Sequence, residues 1–216
     1  MKIEILYPEI CTLYGDKGNT MYLQKCLPDA EFVTTGLNEK PLFLKENIDM
    51  VYMCSMSEKS QELVLDRLMQ YKDEIAACMK DGKALFLLVG NSMELLGDYI
   101  KREDGTRVTG LGVVPGMYSV RQTPNRFNTL IKAKFNDMTL IGYTSRFAHT
   151  YGIPDDMTFC KVEIGQGSNP DTMNEGICKN RVIATYIHGQ LLIQNPDFVH
   201  YLLKRLDAPM KEIPFE

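Results

Sequence analysis

The chemistry-bearing residues of this chain sit where apolar strands end. "VIATYIHGQ" (Val182 to Gln190) places His188, followed by Gly189, at the close of a late apolar run. A histidine there suits general-base work, because its proton exchanges near neutral pH. "ALFLLVGNSMELLG" (Ala84 to Gly97) reads as a buried strand, a sharp turn and the start of a helix. Turns of this kind hold nucleophiles, on strained backbone with small neighbours. A cysteine here, paired with His188, would make a dyad. The turn carries Gly90, Asn91 and Ser92 instead. Ser92 is the nearest hydroxyl. Its plainer role, or that of Asn91, is to cap a helix beginning near Met93.

A third loop, "CSMSEKS", follows the apolar run "IDMVYM" (Ile48 to Met53). Its Cys54, Ser55 and Met56 occupy a place where backbone N–H groups stabilise an oxyanion, although glycines build such loops more easily. Cys54 is the thiol placed beside the proposed cleft, and a packed, inert thiol is its plainer reading. "LYGDKGN" (Leu13 to Asn19) is a turn-rich, ligand-facing candidate that matches no nucleotide-binding pattern. His149 and His200 are weaker candidates. The six cysteines form no C-x-x-C pair and show no zinc spacing, so free thiols in a reducing compartment are expected, with no metal and no cofactor.

Elements able to position these loops follow from periodicity. "KIEILY", "AEFVTT", "IDMVYM" and "ALFLLV" are strands, the last two apolar enough to be buried on both faces. Ser57 to Asp81 reads as one helix, with Val64, Leu68, Tyr71, Ile75 and Met79 as its apolar stripe, Ser57 as cap and Gly82 as stop. Strands alternating with helices imply a parallel sheet covered on both faces. Beyond residue 100, short runs between Gly, Pro, Asn and Asp imply partly antiparallel strands. "NPDFVHYLLKRL" is a closing helix, with Asn195 as cap and Pro196 in the first turn. Ligands bind at the carboxyl ends of parallel strands, which singles out the three loops above.

Composition narrows the class. With 44% hydrophobic and 24% charged residues and a net charge of −4, nucleic acid is disfavoured as a partner. No apolar run is long enough to span a bilayer, and cytoplasmic residence is the default expectation. One domain, 1–216, is expected.

Together, "LYGDKGN", "DGKALFLLVGNSMELLG", "GLGVVPG" and "EGICKNRVIATYIHGQLL" resemble, in order and spacing, a class I glutamine amidotransferase domain of the cobyric acid synthase type. The likeness is strongest to the glutaminase subunit family of lipid II isoglutaminyl synthase, which works beside a Mur-ligase-like partner. The resemblance implies a flavodoxin-like, three-layer α/β fold with a mostly parallel sheet, helices on both faces and extra short strands in the second half. It also implies a cysteine that attacks glutamine, a histidine that activates it, and ammonia passed to an ATP-dependent synthetase.

His188 matches the family histidine. The elbow departs from the family's C-G-G-Y-Q-x-L-G: Gly90 stands at the cysteine position and Glu94 at the glutamine position. The oxyanion loop is "CSMSEKS". The family stretch resembling "ENHGGRT" is "TSRFAHT", with Arg146 at its histidine position and His149 at its arginine position, the arginine that the family links to glutamine. Ser55, Asn91, Glu94, Arg146 and His149 are the candidate ligand-binding residues. The expectation is a subunit that keeps the scaffold and has lost the glutaminase chemistry, serving a Mur-ligase-like or other ATP-dependent synthetase. Two alternatives stand beside it: a working amide hydrolase using Cys54 or Ser92 with His188 as base, and a stand-alone module binding glutamine or a related small molecule.

Overall fold

A computed structural model describes residues 1–209, 213 and 214. The first half alternates β1 (Lys2–Leu6), α1 (Lys17–Cys26), β2 (Glu31–Thr35), β3 (Met50–Met53), α2 (Glu58–Met69), α3 (Lys72–Asp81) and β4 (Leu85–Val89). The second half is mostly strand: β5 (Tyr99–Lys101), β6 (Arg107–Thr109), β7 (Tyr118–Arg121), β8 (Phe127–Phe135), β9 (Met138–Arg146), β10 (Ala148–Tyr151), β11 (Thr158–Ile164), β12 (Asn174–Lys179) and β13 (Val182–Thr185), closed by α4 (Pro196–Arg205).

A nine-stranded sheet runs β2-β1-β3-β4-β13-β12-β11-β8-β9. It is parallel from β2 to β13 and antiparallel beyond. Residues of β3 and β4 are buried throughout, as central parallel strands covered on both faces must be. A smaller sheet, β10-β7-β5-β6, packs beside the turn after β4.

The stretch from Ser57 to Asp81 is two helices, not the single one its periodicity predicts. Tyr71 N–H donates to Leu68 O, three residues back, and the Gln70 side chain donates to Arg67 O, closing α2 before α3 begins. The apolar stripe survives the break: Val64, Leu68, Ile75 and Met79 are buried. Ser57 does cap α2, accepting from Ser60 N–H at 3.1 Å, and Gly82 ends α3 at φ +65°.

The outer edge of β9 is closed by the segment that follows β13. His188 N–H donates to Tyr143 O at 3.0 Å. Ser145 N–H donates to His188 Nε2 at 2.7 Å. Asn195 Oδ1 accepts from Ile141 N–H at 2.8 Å, and its Nδ2 donates to Ile141 O at 2.8 Å and Leu191 O at 2.7 Å. Asn195 therefore makes no side-chain cap on α4, against the sequence reading, because its amide is engaged in standing in for a missing strand. Pro196 does open the helix. An unpaired strand edge invites association, and this one is satisfied internally.

Asn195→Asp separates the two roles. A cap would survive the change, whereas the donors to Ile141 O and Leu191 O would be lost. A stability loss of about 2 kcal/mol or more in urea unfolding is expected, since buried acceptors are left unpaired. A neutral result would return Asn195 to a capping role.

Candidate functional site

The loops at the carboxyl ends of β3, β4 and β13 do meet, and Gly90 lies at the centre. It follows β4 directly with φ +70°, in the left-handed region that favours glycine. A Cβ built here would overlap Ser55 Oγ and lie 2.8 Å from Ser55 Cβ. The volume that a side chain at this turn would need is filled by Ser55. Residues Gly90–Leu96 form a 3-10 helix, not the start of an α-helix, and the chain then enters β5. Neither Ser92 nor Asn91 caps it. Ser92 Oγ is buried and donates to Val89 O at 2.8 Å, with Met53 O at 3.3 Å, so its proton faces backbone carbonyls and no base.

Backbone donors after β3 are engaged as well. Ser55 N–H and Oγ–H both donate to Asp16 Oδ2, at 3.0 and 2.6 Å. Met56 N–H donates to Asn91 Oδ1 at 3.0 Å, and Asn91 Nδ2 returns a bond to Met56 O at 2.7 Å. The loop that could cradle an oxyanion is thus bonded within the chain. Cys54 beside it is buried, and that burial, with the Asp16 charge second, pushes its thiol up to about 12. Such a thiol is not a nucleophile near neutral pH.

Asp16 and Asn19, within "LYGDKGN", tie these loops together. Asp16 Oδ1 accepts from Gly189 N–H at 2.8 Å. Asn19 donates to Gly189 O at 2.8 Å and to the Tyr52 hydroxyl at 3.0 Å, and accepts from Leu192 N–H at 3.0 Å. Asp16 and Asn19 are buried. Two polar side chains of the segment expected to face a ligand, Asp16 and Asn19, are turned inward as a clasp.

His188 lies three residues beyond the end of β13, in an isolated bridge to Tyr143. Its ring stacks on Tyr14 at 4.4 Å between centroids and meets Tyr143 edge-on at 4.6 Å. The Ser145 amide proton aims at Nε2, so Nε2 carries the lone pair and the ring proton resides on Nδ1. The Ser145 carbonyl, 3.3 Å away, is then not a hydrogen-bond partner of Nε2. Burial, aided by the Arg146 charge, holds the imidazole down to about 4. This ring is neutral, with its basic nitrogen occupied. Among the described residues no thiol or hydroxyl bonds to it.

The remaining candidates form a second, polar cluster. Glu94 is buried and accepts from Gln61 Nε2 at 2.9 Å and the Tyr186 hydroxyl at 3.0 Å; burial raises its carboxyl above the usual range. Arg146 lays its guanidinium 4.1 Å from the Tyr186 ring centroid and donates to Gly167 O. His149 is buried against Phe127 at 4.0 Å, and burial together with Arg146 lowers it to about 4. Arg121 joins the cluster through Gln61 Oε1 at 2.9 Å and Glu62 at 2.6 Å. Gly90, Ser55 and the His188 loop are therefore brought together, as are Glu94 and Arg146, while Ser92 bonds to backbone carbonyls and Cys54 is buried near Asp16 and Tyr52. Asp16, Asn19, Gln61 and Tyr186 carry these contacts without having been singled out individually; Asp16, Asn19 and Tyr186 lay inside flagged stretches, and Gln61 did not. Among the described residues, no group of three His, Cys, Asp or Glu side chains could hold a metal ion.

This is the architecture of a glutamine amidotransferase domain. Two solved structures share it: a glutamine amidotransferase with TM-score 0.63 and 12% identity, covering 95% of this chain and 99% of the other, and one from Thermotoga maritima with TM-score 0.57 and 11% identity, covering 96% and 84%. The chain belongs to the CobB/CobQ-like glutamine amidotransferase domain family, whose pattern matches residues 2–196. It is 27% identical to the GatD subunit of the glutamine-hydrolyzing lipid II isoglutaminyl synthase of Streptococcus pneumoniae, over 94% of this chain and 79% of the relative. It is 26% identical to the corresponding Staphylococcus aureus subunit, over 94% and 83%.

Gly90→Cys is expected to lower stability by about 2 kcal/mol or more, from left-handed backbone strain and the Ser55 overlap. Adding Ser55→Gly should recover part of that loss. Thermal unfolding of both variants checks it; a neutral single variant would show the space to be open.

His188 also predicts a pH dependence. Its folded pKa of about 4 lies below the ordinary value of 6.5. The unfolded chain therefore takes up the proton first, so stability is full above pH 6.5 and falls as pH drops toward 4. The contribution is on the order of 3 kcal/mol. Urea unfolding at pH 7 and pH 5 should show a shallower loss for His188→Gln; equal slopes would contradict the buried neutral ring.

Proposed function

We propose that this chain is an amidotransferase-fold subunit without glutaminase chemistry, which serves an ATP-dependent, Mur-ligase-like synthetase as a binding or regulatory subunit. The observation that carries the reading is Gly90: the turn where a nucleophile belongs has no side chain, and Ser55 fills the space one would occupy. The engaged Ser55 and Met56 amides and the occupied His188 Nε2 support it independently. Restoring one group would leave the others unavailable, and one missing oxyanion donor alone costs about a hundredfold to a thousandfold in rate. The relatives named above are subunits of a synthase, which supports a role beside a synthetase. A cavity of about 250 Å³ lined by Thr150, Tyr151, Asp155, Thr158, Asn169 and Asp171 favours a second reading, a stand-alone ligand-binding module.

The test is ammonia release from glutamine by the purified chain, alone and with its co-expressed synthetase. No release above the uncatalysed background is expected for the native chain or for Gly90→Cys. Release abolished by Cys54→Ala or Ser92→Ala would overturn the reading. The ligand-binding alternative requires a small molecule that raises the melting temperature of the isolated chain.

A further inference from the structure

The antiparallel end of the large sheet has one face that no helix of the described residues covers. Along β8 the inward residues Ile131, Ala133 and Phe135 are buried, Phe135 against Phe198 and Tyr201 of α4. The alternate residues face water. On that outward face Leu130 is 77% exposed, Ile164 61% and Ile141 47%. They are neighbours by register: Lys132 pairs with Ile141 on one side and Ile164 on the other, and Leu130 lies two residues along β8. Antiparallel sheets that face water ordinarily put polar side chains outward, and a group of exposed aliphatics marks a contact surface.

The face has a distinct charge. Lys132, Lys134 and Lys161 surround the aliphatic residues, with Glu163 the one acid on these strands, paired to Lys132 at 3.1 Å. The chain as a whole carries −4. A locally basic rim on an acidic chain selects a partner with an apolar centre ringed by carboxylates. Strand addition at this end is excluded, because His188 and Asn195 already occupy the edge of β9. The contact must use the face. It also reaches the closed crevice: Tyr143, on the same side of β9, donates its hydroxyl to Tyr14 O at 3.1 Å and touches the His188 ring.

We propose that the outward face of β8, β9 and β11, centred on Leu130, Ile141 and Ile164, is the docking surface for the synthetase subunit, through an apolar patch rimmed by Asp and Glu. This rests on the reading that the chain serves such a synthetase. The experiment co-expresses the full chain with the Mur-ligase-like subunit of the same organism and measures affinity with purified components. Leu130→Asp/Ile141→Asp/Ile164→Asp is expected to weaken binding about a hundredfold, as loss of central apolar anchors does. Lys134→Glu/Lys161→Glu should weaken binding less and flatten its salt dependence. That charge variant is read in place of the triple variant if the latter does not fold, as judged by circular dichroism. Native binding with unchanged affinity in both variants overturns the docking surface and leaves the function reading standing. No binding by the native chain sinks the function reading and the surface with it. A native dimer that the triple variant makes monomeric also overturns the proposal, assigning the face to a second copy.

Discussion

A single carboxylate organises the crevice. Asp16 is fully buried and accepts hydrogen bonds from Ser55 N–H, Ser55 Oγ–H and Gly189 N–H. Among the described residues no basic side chain pairs with it. An unpaired buried charge is expensive unless donors converge on it. Here burial pushes its pKa up while those donors pull it back. Their convergence fixes Ser55 so that its hydroxyl fills the space beside Gly90, and fixes Gly189 so that the following segment lies along β9. Closure of the turn and the course of the segment along β9 both rest on this arrangement.

A second polar network joins the two sheets. Glu94, Gln61 and Arg121 connect the 3-10 turn and α2 to β7, and Arg121 and Arg102 converge on Glu62, whose carboxyl is held down to about 2 chiefly by Arg102. Tyr186 links Glu94 to Thr150, and Thr150 to Ser119. Buried networks of this kind are costly if one member goes unpaired, so they hold a particular register between layers. Glu94, one of the positions expected to contact glutamine, lies within this network.

The alternation of apolar strands and amphipathic helices made the parallel half of the sheet legible, because burial on both faces leaves a plain pattern in β3 and β4. The loops of interest were legible too, since each follows such a strand. Side-chain roles were not. Asn91, Asn195 and Ser92 all resemble helix caps locally, yet other partners claim each of them: distant Met56 and Ile141 for the two asparagines, and for Ser92 the carbonyl of Val89, three residues back. The division of α2 from α3 left no break in the apolar stripe, so periodicity could not show it. Asp16 lay within a flagged motif, but its partners are distant in sequence, and no local pattern reports such contacts.

The filled space beside Gly90 has a consequence for engineering. Any side chain placed at this turn meets Ser55, which is itself held by Asp16. Installing a nucleophile here would mean reshaping the loop after β3 together with the turn, and giving Asp16 new donors in exchange for those of Ser55.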